Sequence, residues 1–187
     1  MLKKILIGLG ALFGVLLIVI ALRPATFHLE RSINVAAPTE AAFAQVNDFH
    51  AWSKWSPWEK LDPAMKRSYE GPPSGVGAKY AWVGNKEVGE GRMTIQQSEP
   101  SSIVVKLEFL KPFAATNTAS FAFAPTSDGG SKVTWAMDGN LDFMGKAVHL
   151  FMDMEKMLGP DFEKGLSELK VAAETATNAG TIAGRTP

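Results

Sequence analysis

The carboxy-terminal part of the chain carries a clear helical pattern of apolar positions. Between Phe143 and Ala173, apolar residues recur at steps of three, four and seven, which is the spacing of one face of an α-helix. The opposite face carries lysine and acidic side chains, so we expect one side of the helix to be buried and the other to face solvent. Gly159-Pro160 interrupts the pattern, and because proline removes a backbone donor we expect a kink or two abutting helices there.

Before this helix, the chain reads as strands joined by turns. From Lys66 to Leu141, apolar and polar residues alternate in short runs separated by glycine, proline or asparagine. Each run has one polar face, which is typical of antiparallel strands. An earlier run, Thr26 to Val35, predicts a first strand in which Arg31 is the one charged residue on the apolar side. The predicted class is α+β, with a curved antiparallel sheet of about six to seven strands wrapped around the long carboxy-terminal helix.

Two short helical segments are predicted between the first strand and the others. Pro38-Thr39-Glu40 places a proline and an acidic residue where the first turn of a helix favours them. The segment Trp52-Ser-Lys-Trp55-Ser-Pro-Trp58 then places three tryptophans at a spacing of three around a proline. Exposing three indole rings is unfavourable, so they cover either the core or the entrance of a hydrophobic pocket.

The amino terminus is an apolar run that predicts one transmembrane helix. The eighteen residues from Ile5 to Leu22 would form a helix of about 27 Å, close to the ~30 Å hydrocarbon core of a bilayer. A cleaved signal peptide has a shorter apolar region and a small-residue cleavage site, whereas Ala21-Leu22-Arg23 places an arginine there. We expect an uncleaved single-pass anchor. Lys3 and Lys4 favour a cytoplasmic amino terminus, which puts the globular part in the periplasm or outside the cell.

These patterns divide the chain into three parts: an anchor over residues 1–24, a globular domain over residues 25–173, and a tail. The tail, residues 174–187, is small and polar, and we expect it to be disordered. Within the anchor, Gly10 and Gly14 form a GxxxG pair. Such a pair is compatible with a weak homodimer, although glycine is also simply common in membrane helices.

Composition and motifs exclude several kinds of partner and of catalytic or metal site. The 19 basic and 19 acidic residues cancel, so no basic excess points to a nucleic-acid partner. The chain has no cysteine, which excludes disulfides, thiolate catalysis and zinc–thiolate sites. His28, His50 and His149 fall in different elements without the spacing of metal ligands, and Gly75-Val-Gly77 lacks the third glycine of a dinucleotide loop. We therefore predict no metal and no cofactor.

One carboxylate lies close to the apolar face of the long helix. Glu155 would need a partner such as Arg92 or Lys54 if it were buried, and it would lie in water if it stood at the edge of that face. A cyclisation would need polar groups that polarise a carbonyl and move a proton. No acid–base pair or nucleophile stands out, so we name no catalytic residue.

Several short segments carry a resemblance to a known family. They are Ile33-Asn-Val-Ala-Ala-Pro38-Thr-Glu, Trp52-Ser-Lys-Trp55-Ser-Pro57-Trp58, Gly75-Val-Gly77-Ala-Lys-Tyr80-Ala-Trp82, Gly89-Glu-Gly91, Val133-Thr-Trp135 and Asp161-Phe-Glu-Lys-Gly165-Leu-Ser-Glu-Leu-Lys170. With these sequence segments and this order of elements, the stretch from Thr26 to Ala173 resembles the SRPBCC superfamily, also called START-like or helix-grip. Within it, the chain looks like the bacterial polyketide cyclase/dehydrase-type proteins with an amino-terminal anchor. The resemblance implies a sheet gripping the long helix around a cavity for a hydrophobic small molecule, and it does not imply one reaction.

The first function compatible with these observations is membrane-anchored, non-catalytic binding of a lipid, isoprenoid or polyketide-like molecule. The ligand would lie between the sheet and the carboxy-terminal helix, in a concave and mostly apolar site. The side chains expected to form its wall are aromatic residues and methionines that point inward. They are Trp52, Trp55, Tyr80, Trp82, Met93, Phe109, Phe121, Trp135, Met137, Phe151 and Met154.

Two other functions stay open at this point. In the second, the domain is an enzyme of the cyclase or dehydratase kind, with Glu155 and Arg92 pointing into the cavity together. In the third, it is an envelope protein-interaction module with a collapsed cavity. The positions of the Glu155 and Arg92 side chains would distinguish the enzyme from the other two functions.

Overall fold

The computed structural model describes residues 1–183. In chain order its elements are α1 (Leu2–Leu22), β1 (Thr26–Val35), α2 (Thr39–Asn47), the 3₁₀ helices Phe49–Lys54 and Pro57–Lys60, β2 (Lys66–Glu70), β3 (Lys79–Val83), β4 (Glu90–Glu99), β5 (Ser102–Lys111), β6 (Ala115–Pro125), β7 (Ser131–Asn140), α3 (Phe143–Phe151) and α4 (Met154–Ala183).

The seven strands form one curved antiparallel sheet in the order β1-β7-β6-β5-β4-β3-β2. The first strand pairs with the last, so Thr26 lies opposite Asn140 and Val35 opposite Ser131. Each remaining strand pairs with its neighbour in sequence, as short turns between alternating runs require. The predicted α+β helix-grip class is confirmed.

Helix α4 lies across the concave face of this sheet. Its buried residues Phe162, Leu166, Leu169 and Ala173 follow the helical spacing of one face. Close contact with the sheet depends on a missing side chain, because a Cβ at Gly165 would stand 2.8 Å from Cζ3 of Trp135. The apolar stripe of the sequence is therefore the face that packs on the sheet.

The break in the carboxy-terminal helical region is not at Gly159-Pro160. Helix α3 ends at Phe151 and α4 begins at Met154. The Asp153 carboxylate accepts the backbone N–H groups of Glu155 (3.1 Å) and Lys156 (3.2 Å) and so caps the first turn of α4. Pro160 lies inside α4. The region is two abutting helices as one of the two predicted alternatives had it, but they meet at Asp153, seven positions before the proline, because the side chain that starts the new helix is there.

Helix α4 also extends beyond the expected end of the domain. Residues 174–183 continue the helix, whereas the sequence favoured disorder there. This stretch contains several alanines, and adding a residue to a formed helix costs far less than nucleating one. Residues 184–187 lie outside the described part of the chain.

Helix α1 stands apart from the domain core. It is 21 residues long, with a mean hydropathy of 3.0 over its most apolar window, and most of it is exposed. It is long and apolar enough to cross a membrane, a property that anchors and signal sequences share.

Candidate functional site

The centre of the domain is a continuous aromatic cluster. Trp135 stacks on Phe162 of α4, with ring centroids 4.1 Å apart, and on Phe121 of β6, at 5.2 Å. Trp55 meets the rings of Trp135 and Phe121 edge-on. Trp52 extends the cluster toward the first 3₁₀ helix, with its ring 4.6 Å from that of Trp55. Side chains rather than open space therefore fill the region between α4 and the middle of the sheet.

Two of the tryptophans hold α2 in place. The indole N–H of Trp52 donates to the carbonyl of Val46 (2.9 Å), and that of Trp55 donates to the carbonyl of Gln45 (3.0 Å). Both carbonyls lie in the last turn of α2, where a helix has no partners of its own for them. The tryptophan motif is thus part of the core and caps a helix.

Most of the predicted wall residues belong to this core. Eight are buried: Trp52, Trp55, Tyr80, Trp82, Met93, Phe121, Trp135 and Met137. Phe109 is half-buried beside Trp82, with ring centroids 6.1 Å apart. Met154 is half-buried, and the Phe151 side chain is 75% exposed.

A cavity of about 460 Å³ lies at the end of the domain where α1 joins it. It is bounded by the start of β1, the end of α3 and the first turns of α4, and its size is typical of small-molecule sites, which span roughly 300–1,000 Å³. The residues that line it are Arg23, Phe27, His28, Leu29, His149, Leu150, Phe151, Met152, Asp153, Met154, Glu155 and Leu158. Of the predicted wall, Phe151 and Met154 are here.

Sequence reasoning missed the other apolar residues of this cavity for a local reason. Phe27 and Leu29 fall on the apolar side of β1, which predicts burial, and the apolar pattern around Met152 predicts uninterrupted helix. The cavity lies at the junction where α3 ends and α4 begins, around Asp153. The aspartate as a helix cap was the signal that could have located the junction.

Arg31 ties the first turns of α4 to β1 beside the cavity. Its Nη2 lies 3.1 Å from Oε1 of Glu155, and its Nε lies 3.0 Å from Oε1 of Glu163. These contacts raise the pKa of Arg31, the bond to Glu163 contributing most, so it stays charged. Glu155 is 69% exposed, so it stands in water at the edge of the apolar face, and its partner is neither Arg92 nor Lys54.

The proposed catalytic pair does not come together. Arg92 lies on the outer face of the sheet, where it pairs with Glu108 at 2.8 Å. Glu108 also accepts from Lys106 (2.9 Å), and the bonds from these two cations lower its pKa to about 2. Arg92 and Glu155 are both solvent-exposed and have different partners, so the combination of Glu155 with Arg92 as a catalytic site is wrong.

A buried polar cluster lies elsewhere, between the second 3₁₀ helix and the β2–β3 edge. The hydroxyl of Tyr80 donates to Glu59 (2.5 Å), and Arg67 donates to the other carboxylate oxygen of Glu59 (2.6 Å). Burial, followed by the bond to Glu59, raises the pKa of Tyr80, so its hydroxyl stays protonated. Tyr80 borders neither the large cavity nor a smaller one of about 70 Å³ beside Tyr69, so the cluster holds the sheet edge together.

The histidines serve separate local contacts. His28 pairs with Asp138 across β1 and β7 (2.7 Å), and His50 contacts Asp48 (2.8 Å). His149 packs its ring at 5.4 Å from that of Phe27 beside the cavity. Burial, with a smaller contribution from Arg23, lowers the pKa of His149, so this ring is neutral near pH 7.

Comparisons with solved structures show the same fold in proteins of low sequence identity. The Zhui aromatase/cyclase from a Streptomyces species is 12% identical, with a TM-score of 0.56 over 80% of this chain and 94% of that one. Major latex-like protein 151 from Panax ginseng is 14% identical, with a TM-score of 0.54 over 82% and 99%. The Aha1 protein from Colwellia psychrerythraea is 14% identical, with a TM-score of 0.56 over 79% and 96%.

Comparisons by sequence give the family. No curated protein matches the chain. A family model described as "Polyketide cyclase / dehydrase and lipid transport" matches residues 26–174, which cover β1 to the middle of α4. The chain belongs to this polyketide cyclase/dehydrase and lipid transport family, within the SRPBCC helix-grip proteins.

Proposed function

We propose that this protein is anchored in a membrane by α1 and binds a hydrophobic small molecule in the cavity between β1, α3 and α4, without turning it over. The observation that carries the proposal is the position of the cavity. It lies beside the end of the apolar helix α1 and has Phe27, Leu29 and Leu158 in its lining. These three side chains suit the apolar part of a lipid, isoprenoid or polyketide-like molecule, whose burial drives binding. The rest of the lining is mostly polar and suits a polar group on the same ligand.

The polar groups of the cavity support binding rather than catalysis. Arg23 donates to the backbone carbonyl of His149 (3.4 Å), and His28 pairs with Asp138. Asp153 caps α4, while Glu155 pairs with Arg31. Proton transfer requires a group whose proton is free to move to or from the ligand. Arg23, Asp153 and Glu155 thus have structural partners already, and these three side chains favour a holding role.

The interaction module is a second candidate, and one observation favours it. The aromatic cluster fills the space between α4 and the middle of the sheet, where the ligand was first expected. If the cavity beside β1 also stays empty in the membrane, the domain serves contacts with another protein. The two candidates differ in whether a small apolar probe reaches that cavity.

Photolabelling of the full-length protein in lipid nanodiscs tests the proposal. The probe is a fatty acid that carries a diazirine in its acyl chain, and the adducts are mapped by peptide mass spectrometry. Binding in the cavity predicts adducts on the peptides that contain Phe27–Leu29 and Leu150–Leu158. Adducts confined to Leu2–Leu22 would show that the probe only dissolves in the bilayer around α1, and the proposal would fail.

Cavity-filling variants make the test specific. Met154→Trp and Leu158→Trp place an indole in the cavity and are expected to reduce the domain adducts several-fold. The matched control is Val171→Trp, because Val171 lies on the same helix, is exposed, and does not border the cavity. The bound probe, extracted with organic solvent from samples kept in the dark, is expected to keep its mass on incubation. Conversion of the probe would favour the enzyme instead.

A further inference from the structure

The end of the domain that joins α1 exposes large apolar side chains. In α3, Met144, Val148 and Phe151 are all exposed and form one stripe with the i, i+4, i+7 spacing. No residue of α3 is buried. A helix on a soluble surface normally turns its apolar stripe inward, so α3 presents the reverse arrangement.

A turn on the neighbouring strands continues this surface. The last two residues of β5 and the turn to β6, together residues 110–114, carry Leu110 (50% exposed) and Phe113 (82% exposed). This segment lies at the same end of the sheet as α3, because Asn117 at the start of β6 pairs with Gly139 at the end of β7, just before α3. We call α3 and residues 110–114 the proximal face.

The opposite end of the sheet exposes few large apolar side chains. The turns there comprise residues 71–78, 100–101 and 126–130, and among these described residues Val76 is the one large apolar side chain that is exposed. Exposed apolar surface is therefore concentrated where α1 enters the domain. Large apolar patches of this kind mark a surface that has a partner.

The linker leaves the proximal face little freedom to move away from α1. Three residues separate the end of α1 at Leu22 from the start of β1 at Thr26, which allows at most roughly 14 Å between those Cα atoms. Contacts shorten the distance further. The Lys146 ammonium donates to the carbonyl of Ala21 (3.2 Å), and Ile20 is buried at this junction. Helix α3 is thus fastened to the last turn of α1.

We propose that the proximal face lies in the interfacial zone of the membrane that holds α1. This inference rests on the proposed anchor. The 21 residues of α1 span about 31 Å, so its last turn reaches the edge of a ~30 Å hydrocarbon core. Helix α3 is attached to that turn and so lies at the depth where amphipathic helices and aromatic side chains insert. The partner of the exposed stripe is then the lipid surface.

Contact with lipid also gives the cavity an entrance from the bilayer. Phe151 belongs to both the proximal face and the cavity lining, and Met152, the next residue, is an exposed member of that lining. A hydrophobic molecule can pass between them from the acyl chains without crossing water. The cavity thereby draws its ligand from the membrane, which identifies the ligand as one that dissolves in lipid.

Spin labels test the depth of this surface in the full-length protein. The chain has no cysteine, so single cysteines can be added without background: Phe113→Cys and Met144→Cys on the proximal face, and Leu12→Cys in α1. The matched control is Val76→Cys, an exposed apolar position at the opposite end. Nitroxide accessibility to oxygen and to a water-soluble nickel complex is measured in vesicles of equal parts phosphatidylcholine and phosphatidylglycerol.

We expect labels at 113 and 144 to show a several-fold higher ratio of oxygen to nickel accessibility than the label at 76, with the highest ratio at 12. Water-type values at 113 and 144 beside a bilayer value at 12 would overturn this inference and leave the anchor intact. Low accessibility to both reagents at 113 and 144 would show a protein cover and overturn it equally. A water-type value at 12, or loss of the segment by cleavage, would refute the anchor and this inference together.

Discussion

The guanidinium of Arg31 lies directly against Gly159 of α4, where an added Cβ would stand 2.7 Å from Nη2. From this position Arg31 reaches Glu155 and Glu163, one helical turn on either side of the glycine. Arg31, the charged residue on the apolar side of β1, therefore joins the first turns of α4 to this edge strand, beside the cavity.

Replacing Gly159 by alanine should have an effect that depends on Arg31. Alanine in an ordinary helix interior stabilises by about 1 kcal/mol relative to glycine, but here Pro160 follows directly, and the clash of its Cδ with a preceding Cβ offsets that gain. In the wild-type chain the alanine methyl group displaces the guanidinium and weakens two exposed ion pairs. Pro160 is present in both backgrounds, so we expect Gly159→Ala to be clearly more favourable in the Arg31→Ala protein than in the wild type. Urea unfolding followed by tryptophan fluorescence gives both values.

A coupling free energy of about 0.5–1 kcal/mol between the two sites is the result that supports this contact. Equal effects of Gly159→Ala in the two backgrounds would show that the side chains do not interact. Arg31→Lys is a useful comparison because a single ammonium cannot hold both carboxylates in the same geometry.

Gly165 should respond to alanine with a loss of stability. Its added Cβ would meet the Trp135 ring at 2.8 Å and Cδ of Pro57 at 3.1 Å, and neither group can swing aside as an arginine does. Overpacking typically costs about 1–3 kcal/mol, which exceeds the gain of about 1 kcal/mol in helix propensity. We expect a lower free energy of unfolding. The control is Gly145→Ala in α3, whose nearest neighbour is the flexible Leu141 side chain at 3.2 Å.

The fold could be predicted from the sequence because its pattern is local. Alternation in β1 to β7 gives the strands, and turn residues such as Asp128-Gly129-Gly130 give the hairpins. Gly129 has a φ of +84°, which suits glycine at that position. The apolar stripe of α4 then determines which face packs on the sheet. Each of these features is visible within a window of a few residues.

The site could not be predicted in the same way, because burial and cavity depend on contacts distant in sequence. Trp55 and Trp135 suit either a core or a ligand wall, and only the placement of Phe162 between helix and sheet decides for the core. Likewise, Arg31 as partner of Glu155 depends on β1 and α4 becoming neighbours across 124 positions. A helix cap at Asp153 was readable, but the proline seven positions later was the more conspicuous signal.

Acid should destabilise the protein through Glu108. Its pKa lies near 2 in the folded chain, against an ordinary value of 4.5, because Arg92 and Lys106 donate to it. A carboxyl with a lowered folded pKa stabilises the fold above its unfolded pKa and loses that contribution as pH falls toward the folded value. Between about pH 4.5 and about 2, the unfolding midpoint of Glu108→Gln should fall less steeply than that of the wild type.

Thermal unfolding of the full-length chain in detergent micelles, followed over this pH range, measures the difference. The control is Glu99→Gln, an exposed carboxylate at the end of β4, which should keep the wild-type slope. Parallel pH profiles for wild type and Glu108→Gln would show that the cluster around Glu108 does not contribute to acid sensitivity.

Three glycines of α1 have no neighbouring atoms within the chain, and they allow a test of self-association in the membrane. A Cβ at Gly8, Gly10 or Gly14 would meet no atom within 4 Å, so none of the three is needed for packing within the chain. Gly10 and Gly14 share one helix face, whereas Gly8 lies on another. If the pair mediates a homodimer, Gly10→Leu and Gly14→Leu should each weaken it about tenfold (~1.4 kcal/mol), because leucine separates the two backbones. Gly8→Leu should leave the dimer unchanged. Sedimentation equilibrium of the full-length protein in density-matched micelles gives the three constants, and a wild type that stays monomeric at every protein-to-detergent ratio would leave the glycines without a role in pairing.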